Sequence, residues 1–203
     1  MTMQPAHTWV ALVHYPVYER NHKVVATALT NLDLHDIARS VRTYGLAGYL
    51  IVHPVEAQRE LASRIAGHWT GDRTAVGAPK NDFRRMAVER VQVVASLADA
   101  AAFVAQAEGH PPTLVSTAAR PAPAARGYDD LRTSLEGPVL LVLGTGWGLT
   151  EEALAACQHR LAPVQAEPTP ERPATSDGGS DYNHLSVRSA CAIILDRLYG
   201  DRK

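Results

Sequence analysis

The chain has 203 residues, of which 46% are hydrophobic, and its 20 lysine and arginine residues almost balance its 21 aspartate and glutamate residues. A chain of this size can bury one substantial core, and the net charge of −1 excludes a basic nucleic-acid-binding tail and an acidic disordered chain. The longest purely aliphatic run, residues 139–143, is far shorter than the ~20 residues that span a bilayer, and the N-terminal sequence MTMQPAHTWV lacks a signal-peptide pattern. We therefore expect a cytoplasmic protein without a membrane segment.

Neither the two cysteines nor the nine histidines have the spacing of a metal site. Cys157 and Cys191 lie in segments with helical patterns and form no CxxC pair, which is typical of reduced thiols in a cytoplasmic protein. The histidines form no HExxH motif. We therefore expect no metal ion and no disulfide.

Short apolar runs alternate along the chain with segments of helical periodicity. The runs that predict buried strands are residues 9–13, 48–52, 91–94, 113–115 and 138–143. The segments that predict helices are residues 33–45, with Asp33 as the N-terminal cap, 55–68, 98–106, 128–135, a helix from 151, and 186–199. Strands separated by helices predict an α/β fold: a single open, mostly parallel sheet with helices on both faces, in one domain over residues 1–203.

Three polar segments predict loops inside this domain, at residues 18–23, 71–81 and 163–181. The third contains four prolines and two glycines and has almost no large apolar residue, so its composition predicts flexibility. It is not a domain boundary, because the roughly 20 residues that follow are too few for a domain and too apolar for a free tail. We expect the last helix to pack back on the core.

A glycine-rich turn follows the most apolar strand, in the sequence LVLGTGWGLTEE at residues 141–152. Thr150 is a suitable N-terminal cap for the next helix, and Glu151 and Glu152 occupy its first turn. Glycines at this position let the backbone approach a ligand closely, and ligands of open α/β sheets bind at the carboxyl ends of the strands. The alternative is a turn whose glycines serve only tight packing.

The same turn favours a nucleoside ligand without phosphates. Leu149 stands where the dinucleotide motif GxGxxG needs its last glycine. The electropositive start of a helix normally attracts phosphate, but Glu151 and Glu152 would repel it. A nucleotide-dependent oxidoreductase is therefore disfavoured, and S-adenosylmethionine, with its sulfonium cation, is the commonest ligand of the remaining kind.

Five motifs together resemble one family of proteins. They are HYPV at 14–17, NLDLHDIARSVRTYG at 31–45, HW at 68–69, GTGWGL at 144–149 and YNHLSVRSA at 182–190. In this order they resemble the SPOUT (α/β-knot) RNA methyltransferases, and most closely a bacterial group of S-adenosylmethionine-dependent RNA methyltransferase-like proteins. The resemblance covers essentially the whole chain.

The resemblance implies a C-terminal trefoil knot, a homodimer with the active site near its interface, and an RNA substrate such as tRNA or rRNA. It also implies that three loops hold S-adenosylmethionine, with Leu185 packed on the adenine. Their residues are Ser116, Thr117 and Ala118; Leu143, Gly144, Thr145, Gly146, Trp147 and Gly148; and His184, Leu185, Ser186 and Ser189.

Three further residues are candidates for handling the methyl acceptor. Arg39 precedes Gly45 by six residues, which matches the arginine and glycine spacing of ribose-methylating relatives; such an arginine holds a phosphate or stabilises the deprotonated acceptor. Asn31 is either a site residue or a turn residue. Arg188 is either a phosphate or dimer contact beside the cofactor loop or a surface charge, and Arg39 is alternatively part of a solvated helix face.

Two other classes of function stay open at this point. The first is a non-catalytic knot protein that binds cofactor or RNA as a regulatory module, since no catalytic base can be recognised in the sequence. The second is the disfavoured oxidoreductase. The sequence does not distinguish methylation of a base nitrogen from methylation of a ribose 2′-oxygen.

Overall fold

A computed structural model describes residues 2–71, 82–167, 169 and 182–201. The strands are β1 (Thr8–Val13), β2 (Val17–Tyr18), β3 (Val24–Val25), β4 (Gly48–Val52), β5 (Val91–Val94), β6 (Thr113–Ser116), β7 (Ala125–Arg126), β8 (Val139–Gly144) and β9 (His159–Leu161). The helices are α1 (Asn31–Thr43), α2 (Glu56–Thr70), α3 (Asp82–Val88), α4 (Leu97–Glu108), α5 (Tyr128–Ser134), α6 (Glu151–Ala155) and α7 (Val187–Tyr199).

Seven strands form one parallel sheet in the order β5-β4-β1-β8-β6-β9-β7. β1 lies between β4 and β8, and all of its residues are buried, as expected for a central strand covered on both faces. β2 and β3 form a separate antiparallel hairpin. The predicted open, mostly parallel α/β sheet is confirmed.

Helices cover both faces of the sheet, which confirms the predicted layers. On one face α1, α2, α3, α5 and α7 enclose an apolar cluster, and on the other α4 and α6 pack against the sheet. α7 contacts α1 and β8, and it buries Cys191, Ile194 and Leu198. The last helix therefore packs back on the core as predicted.

Several elements differ from the sequence-based prediction. The predicted loop at 18–23 is confirmed at residues 19–23, which join β2 and β3, but the two short strands of this hairpin, and β7, β9 and α3, were not predicted. These elements have two to seven residues, too few to display a clear period. The predicted loop at 72–81, and residues 168 and 170–181 of the other long loop, lie outside the described residues.

The predicted cap of the first helix is wrong. α1 begins at Asn31, and its cap is Thr30, whose hydroxyl accepts a hydrogen bond from the Asp33 backbone N–H at 3.1 Å. The same hydroxyl donates to the Asp33 carboxylate at 2.6 Å. Asp33 therefore lies in the first turn, where its side chain is buried, instead of at the solvent-facing cap position.

None of the helices in the described ranges is long and apolar enough to cross a membrane. Cys157 and Cys191 are both free thiols.

Candidate active site

The carboxyl ends of β1, β6 and β8 surround a cavity of about 1110 Å³, which we call the cleft. The segment before α7 and the residues after β9 form its other walls. Parallel strands of an open sheet present their carboxyl ends at one edge, and this is where ligands of such folds bind. The fold thus brings three loops from distant parts of the sequence to one place.

The glycine turn after β8 is held by the hairpin. Tyr18 N–H donates to Gly148 O at 2.9 Å, and Trp147 N–H donates to Tyr18 O at 2.8 Å. Gly146 has φ +58°, and a Cβ there would lie 2.8 Å from Tyr18 O. Gly146 is therefore needed for close packing of the hairpin, which is the packing role that the sequence left open.

Gly148 has a different environment. Its φ is +109°, but no atom of the described residues other than its chain neighbours lies within 4 Å of where its Cβ would be. The space beside Gly148 is open, and Gly148 is one of the residues that line the cleft. This glycine, unlike Gly146, leaves room for a ligand to approach the backbone.

All but one of the residues predicted to bind cofactor line the cleft. They are Ser116, Thr117, Ala118, Leu143, Gly144, Thr145, Gly146, Trp147, Gly148, His184, Leu185 and Ser186. The exception is Ser189, whose backbone N–H donates to Ser186 Oγ at 3.2 Å and so caps α7. Trp147 and Leu185 keep about half of their surfaces exposed, so two large apolar side chains are available to a ring-shaped ligand.

The start of α6 is acidic where it meets the cleft. Thr150 caps this helix, as predicted, by accepting a hydrogen bond from Ala153 N–H at 3.3 Å. Of the two glutamates that follow, Glu151 lines the cleft and Glu152 is not among the lining residues. Glu151 is largely exposed, and its carboxylate lies 3.8 Å from Arg160. Of the two glutamates expected to repel a phosphate, only Glu151 is therefore at the wall, and Arg160, which also lines the cleft, offsets part of its charge.

Arg188 lines the cleft, and two aspartates of α1 hold it. Its Nη1 lies 2.8 Å from Asp33 Oδ1 and its Nε 3.5 Å from Asp36 Oδ2. Arg39 lies 3.9 Å from the other oxygen of Asp36. Arg39 is therefore linked to the cleft residue Arg188 through two ion pairs that share Asp36, and its own side chain is largely exposed and does not line the cleft.

Asn31 is also absent from the residues that line the cleft. As the first residue of α1 it lines a separate cavity of about 470 Å³, together with His35, Trp69 and Arg84. The Arg84 guanidinium lies 4.6 Å from the centre of the Trp69 ring. The roles predicted for Asn31, Arg39 and Arg188 stay predictions.

Sequence reasoning missed several cleft residues between the end of β1 and the first turn of α1, among them His14, Tyr18, His22, Thr27 and Asp33. His14 is fully buried. Burial, and next the neighbouring His53, lower the pKa of His14 to about 4, so its imidazole is neutral at pH 7. The HYPV motif directly after β1 was the available signal, because it stands at the carboxyl end of a central strand.

Comparison with known proteins identifies the family. A model of a family described as SAM-dependent RNA methyltransferase matches residues 7–200. The chain belongs to this family. It is 34% identical over 196 residues to an uncharacterised protein of Aquifex aeolicus. The aligned region covers 95% of this chain and 88% of the relative.

A second relative has a named activity but is much longer. The chain is 42% identical over 194 residues to a tRNA (guanine-N(1)-)-methyltransferase of Oleidesulfovibrio alaskensis. The match covers 95% of this chain but only 42% of that protein. The chain thus spans less than half the length of the relative that carries the name.

Solved structures share the fold at low sequence identity. A probable methylase family protein from Haemophilus influenzae aligns with a TM-score of 0.56 at 16% identity, over 97% of this chain and 66% of that one. The SpoU methyltransferase AviRb from Streptomyces viridochromogenes, in complex with AdoMet, aligns with a TM-score of 0.51 at 13% identity, over 97% of this chain and 58% of that one. The predicted family of S-adenosylmethionine-dependent RNA methyltransferases is confirmed, and S-adenosylmethionine is the cofactor of that family. The solved SpoU methyltransferase structures share the fold of the chain.

Proposed function

We propose that this SAM-dependent RNA methyltransferase acts on tRNA and that methyl transfer takes place in the cleft. The observation that carries this proposal is the meeting of three sequence-distant loops around one cavity of about 1110 Å³. Pockets for a single drug-sized ligand usually have ~300–1000 Å³, so this cavity has room for a nucleotide beside the cofactor. tRNA is the substrate named for the longer relatives.

The lining of the cleft is suited to S-adenosylmethionine. Trp147 and Leu185 offer exposed apolar surface for the adenine, and Gly148 leaves open space beside its backbone. Glu151 disfavours a phosphate but is compatible with a sulfonium or ammonium cation. When bound there, S-adenosylmethionine supplies an electrophilic methyl group.

The acceptor nucleotide needs orientation and a means of losing a proton. We propose that the Arg188 guanidinium, fixed by Asp33 and Asp36, holds a phosphate of that nucleotide or stabilises its developing negative charge. We propose the same kind of contact for Arg39, which shares Asp36 with Arg188, and a polar contact to RNA for Asn31.

We further propose that residues 1–203 form one methyltransferase domain, that its C-terminal part is a trefoil knot, and that two copies form a homodimer in the cytoplasm. The likeness to SpoU methyltransferase structures supports the fold of this proposal. Arg39 and Asn31 lie outside the cleft of their own protomer. A dimer supports their predicted roles, because a second copy can bring such residues to the edge of a neighbouring cleft.

The test is methyl transfer by the purified protein. RNA from a strain that lacks the gene is incubated with labelled cofactor, and the nucleosides are identified by mass spectrometry. We expect one methylated nucleoside in the tRNA fraction, and its mass fragments distinguish a methylated base from a methylated ribose. Label confined to rRNA would refute the tRNA assignment, and no label in any RNA would favour the non-catalytic module.

A further inference from the structure

His14 is one of the residues that line the cleft, and its imidazole has one ring nitrogen unused. His14 follows β1 directly, and its side chain is fully buried. Its Nε2 atom is buried and has no hydrogen-bond partner among the residues that the structure describes. Buried polar atoms normally have partners, so an unpaired one beside a cavity calls for an explanation.

A chain of hydrogen bonds determines which nitrogen of His14 carries the proton. Thr145 Oγ1 lies 3.1 Å from Val13 O, Thr27 Oγ1 lies 2.5 Å from Thr145 Oγ1, and His14 Nδ1 lies 3.0 Å from Thr27 Oγ1. The Val13 carbonyl can only accept, so Thr145 uses its single hydroxyl hydrogen there. Thr27 must then donate its own hydroxyl hydrogen to Thr145. In the contact between His14 Nδ1 and Thr27 Oγ1 the donor is therefore the N–H of the ring.

It follows that Nε2 of the neutral imidazole is a bare acceptor. Because Nδ1 carries the proton, Nε2 presents a lone pair. The groups around the ring agree with a neutral state: burial and the neighbouring His53 lower the pKa of His14 to about 4, against smaller opposing effects of Asp33 and Thr27. The unpaired atom therefore needs a hydrogen-bond donor.

His53 shows that burial at this edge does not by itself leave a nitrogen unpaired. It follows β4, beside His14, and the two ring centres are 5.4 Å apart. Its Nε2 lies 2.9 Å from Thr27 O, and its Nδ1 accepts the Val55 N–H at 3.1 Å. Both nitrogens of His53 are used within the protein, so His53 is a matched control for His14.

We propose that His14 Nε2 accepts a hydrogen bond from an O–H or N–H group of a ligand in the cleft. Two partners in the reaction carry such donors. The cofactor has hydroxyl and amino groups, and the acceptor nucleotide also has hydroxyl and N–H groups. This inference rests on the proposed function for the identity of these ligands. The protonation of His14 in the free protein, in contrast, depends only on the hydrogen-bond chain and on the burial that keeps the ring neutral.

The first test reads the ring nitrogens directly. In protein labelled with ¹⁵N-histidine, with the signals assigned by loss in His14→Phe, we expect His14 to be protonated at Nδ1 and bare at Nε2. Addition of S-adenosylhomocysteine should shift the Nε2 signal toward a hydrogen-bonded value if the cofactor is the donor. A proton on Nε2 in the free protein would overturn the inference, whether or not the protein methylates RNA.

The second test separates the two sources of the donor. His14→Phe and His53→Phe are compared by calorimetry with S-adenosylhomocysteine, by methyl transfer to tRNA and by thermal melting. A cofactor Kd raised about tenfold in His14→Phe alone identifies the cofactor as donor, whereas an unchanged Kd with kcat/KM lowered about tenfold identifies the acceptor. If the cofactor Kd and the kcat/KM of His14→Phe both match those of the wild type, the inference is wrong while the proposed function stands.

Discussion

Arg188 Nη1 and Asp33 Oδ1 are 2.8 Å apart, in an ion pair that joins the first turns of α7 and α1 although the two residues are 155 positions apart in the sequence. The Asp33 side chain is only 8% exposed, and its second oxygen accepts the Thr30 hydroxyl. Asp33 therefore supports the start of α1 and at the same time fixes a guanidinium in the wall of the cleft.

Replacing Asp33 should destabilise the fold. Asp33→Asn keeps the shape but removes the charge that faces Arg188, and charge-assisted hydrogen bonds of this kind contribute about 2 kcal/mol. We expect the free energy of unfolding in urea to fall by that amount. Asp36→Asn is the control, because Asp36 is 46% exposed and its pairs should contribute less than about 1 kcal/mol. Equal effects of the two variants would contradict a special role for Asp33.

Replacing Arg39 tests whether this residue contacts the nucleotide that accepts the methyl group. If it stabilises charge on the acceptor, Arg39→Ala should lower methyl transfer about 100-fold while the affinity for S-adenosylhomocysteine stays nearly constant, because Arg39 lies outside the cleft. Arg42→Ala should have a smaller effect, mostly on RNA affinity and its salt dependence. Full turnover by Arg39→Ala would move the role to Arg188, and Arg188→Ala would then be the variant to measure.

The two glycines of the turn should respond differently to the same change. Gly146→Ala places a Cβ against Tyr18 O at a positive φ, so we expect a loss of about 1–3 kcal/mol in unfolding free energy. Gly148→Ala meets no described atom beyond its chain neighbours, but its φ of +109° strains an alanine as well, and Gly148 lines the cleft. We therefore expect a loss of stability from backbone strain without the clash, together with a cofactor Kd raised about tenfold in calorimetry. Unchanged affinity in Gly148→Ala would mean that this turn serves packing only.

Glu151 should determine the preference against phosphate. Calorimetry is expected to show binding of S-adenosylhomocysteine and no measurable binding of NAD. Glu151→Gln removes the carboxylate of the first turn of α6 that lines the cleft and should bring weak NAD binding into range, whereas Glu152→Gln should not, since Glu152 is not among the cleft residues. Tight NAD binding by the wild type would contradict the assignment of the cleft.

Stability should fall in mild acid because of His14. Its pKa is lowered from 6.5 to about 4 in the folded protein, so the unfolded chain takes up a proton first as the pH falls. The stability that depends on a neutral His14 is fully present above pH 6.5 and is lost as the pH falls from 6.5 to 4. The free energy of unfolding should therefore fall by about 2 kcal/mol between pH 7 and pH 5. Urea titrations across this range check the slope, and His14→Phe should flatten it. An equal slope in His14→Phe would assign the effect to His35 and His53, whose pKa values burial also lowers.

Local patterns in the sequence were sufficient to predict five strands of the sheet and most of the helices. The five apolar runs became β1, β4, β5, β6 and β8. The central strands β1, β4 and β8 are covered on both faces and are apolar along almost their whole length for that reason. Thr150 and Ser186 cap the helices that they precede, since a cap depends only on the next three residues. The family motifs indicated the three loops of the cleft for the same reason, as each is a continuous stretch of chain.

Contacts between distant residues had no such local sign. Nothing near Gly146 in the sequence indicates that Tyr18 O lies against it, and nothing near Asp33 indicates Arg188. The protonation of His14 depends on Thr27 and Thr145, which only the packing of the hairpin on the glycine turn brings together. Hydrogen bonds and ion pairs of this kind depend on distances of a few ångströms between separate elements, and these distances are set when the helices and the hairpin pack on the sheet.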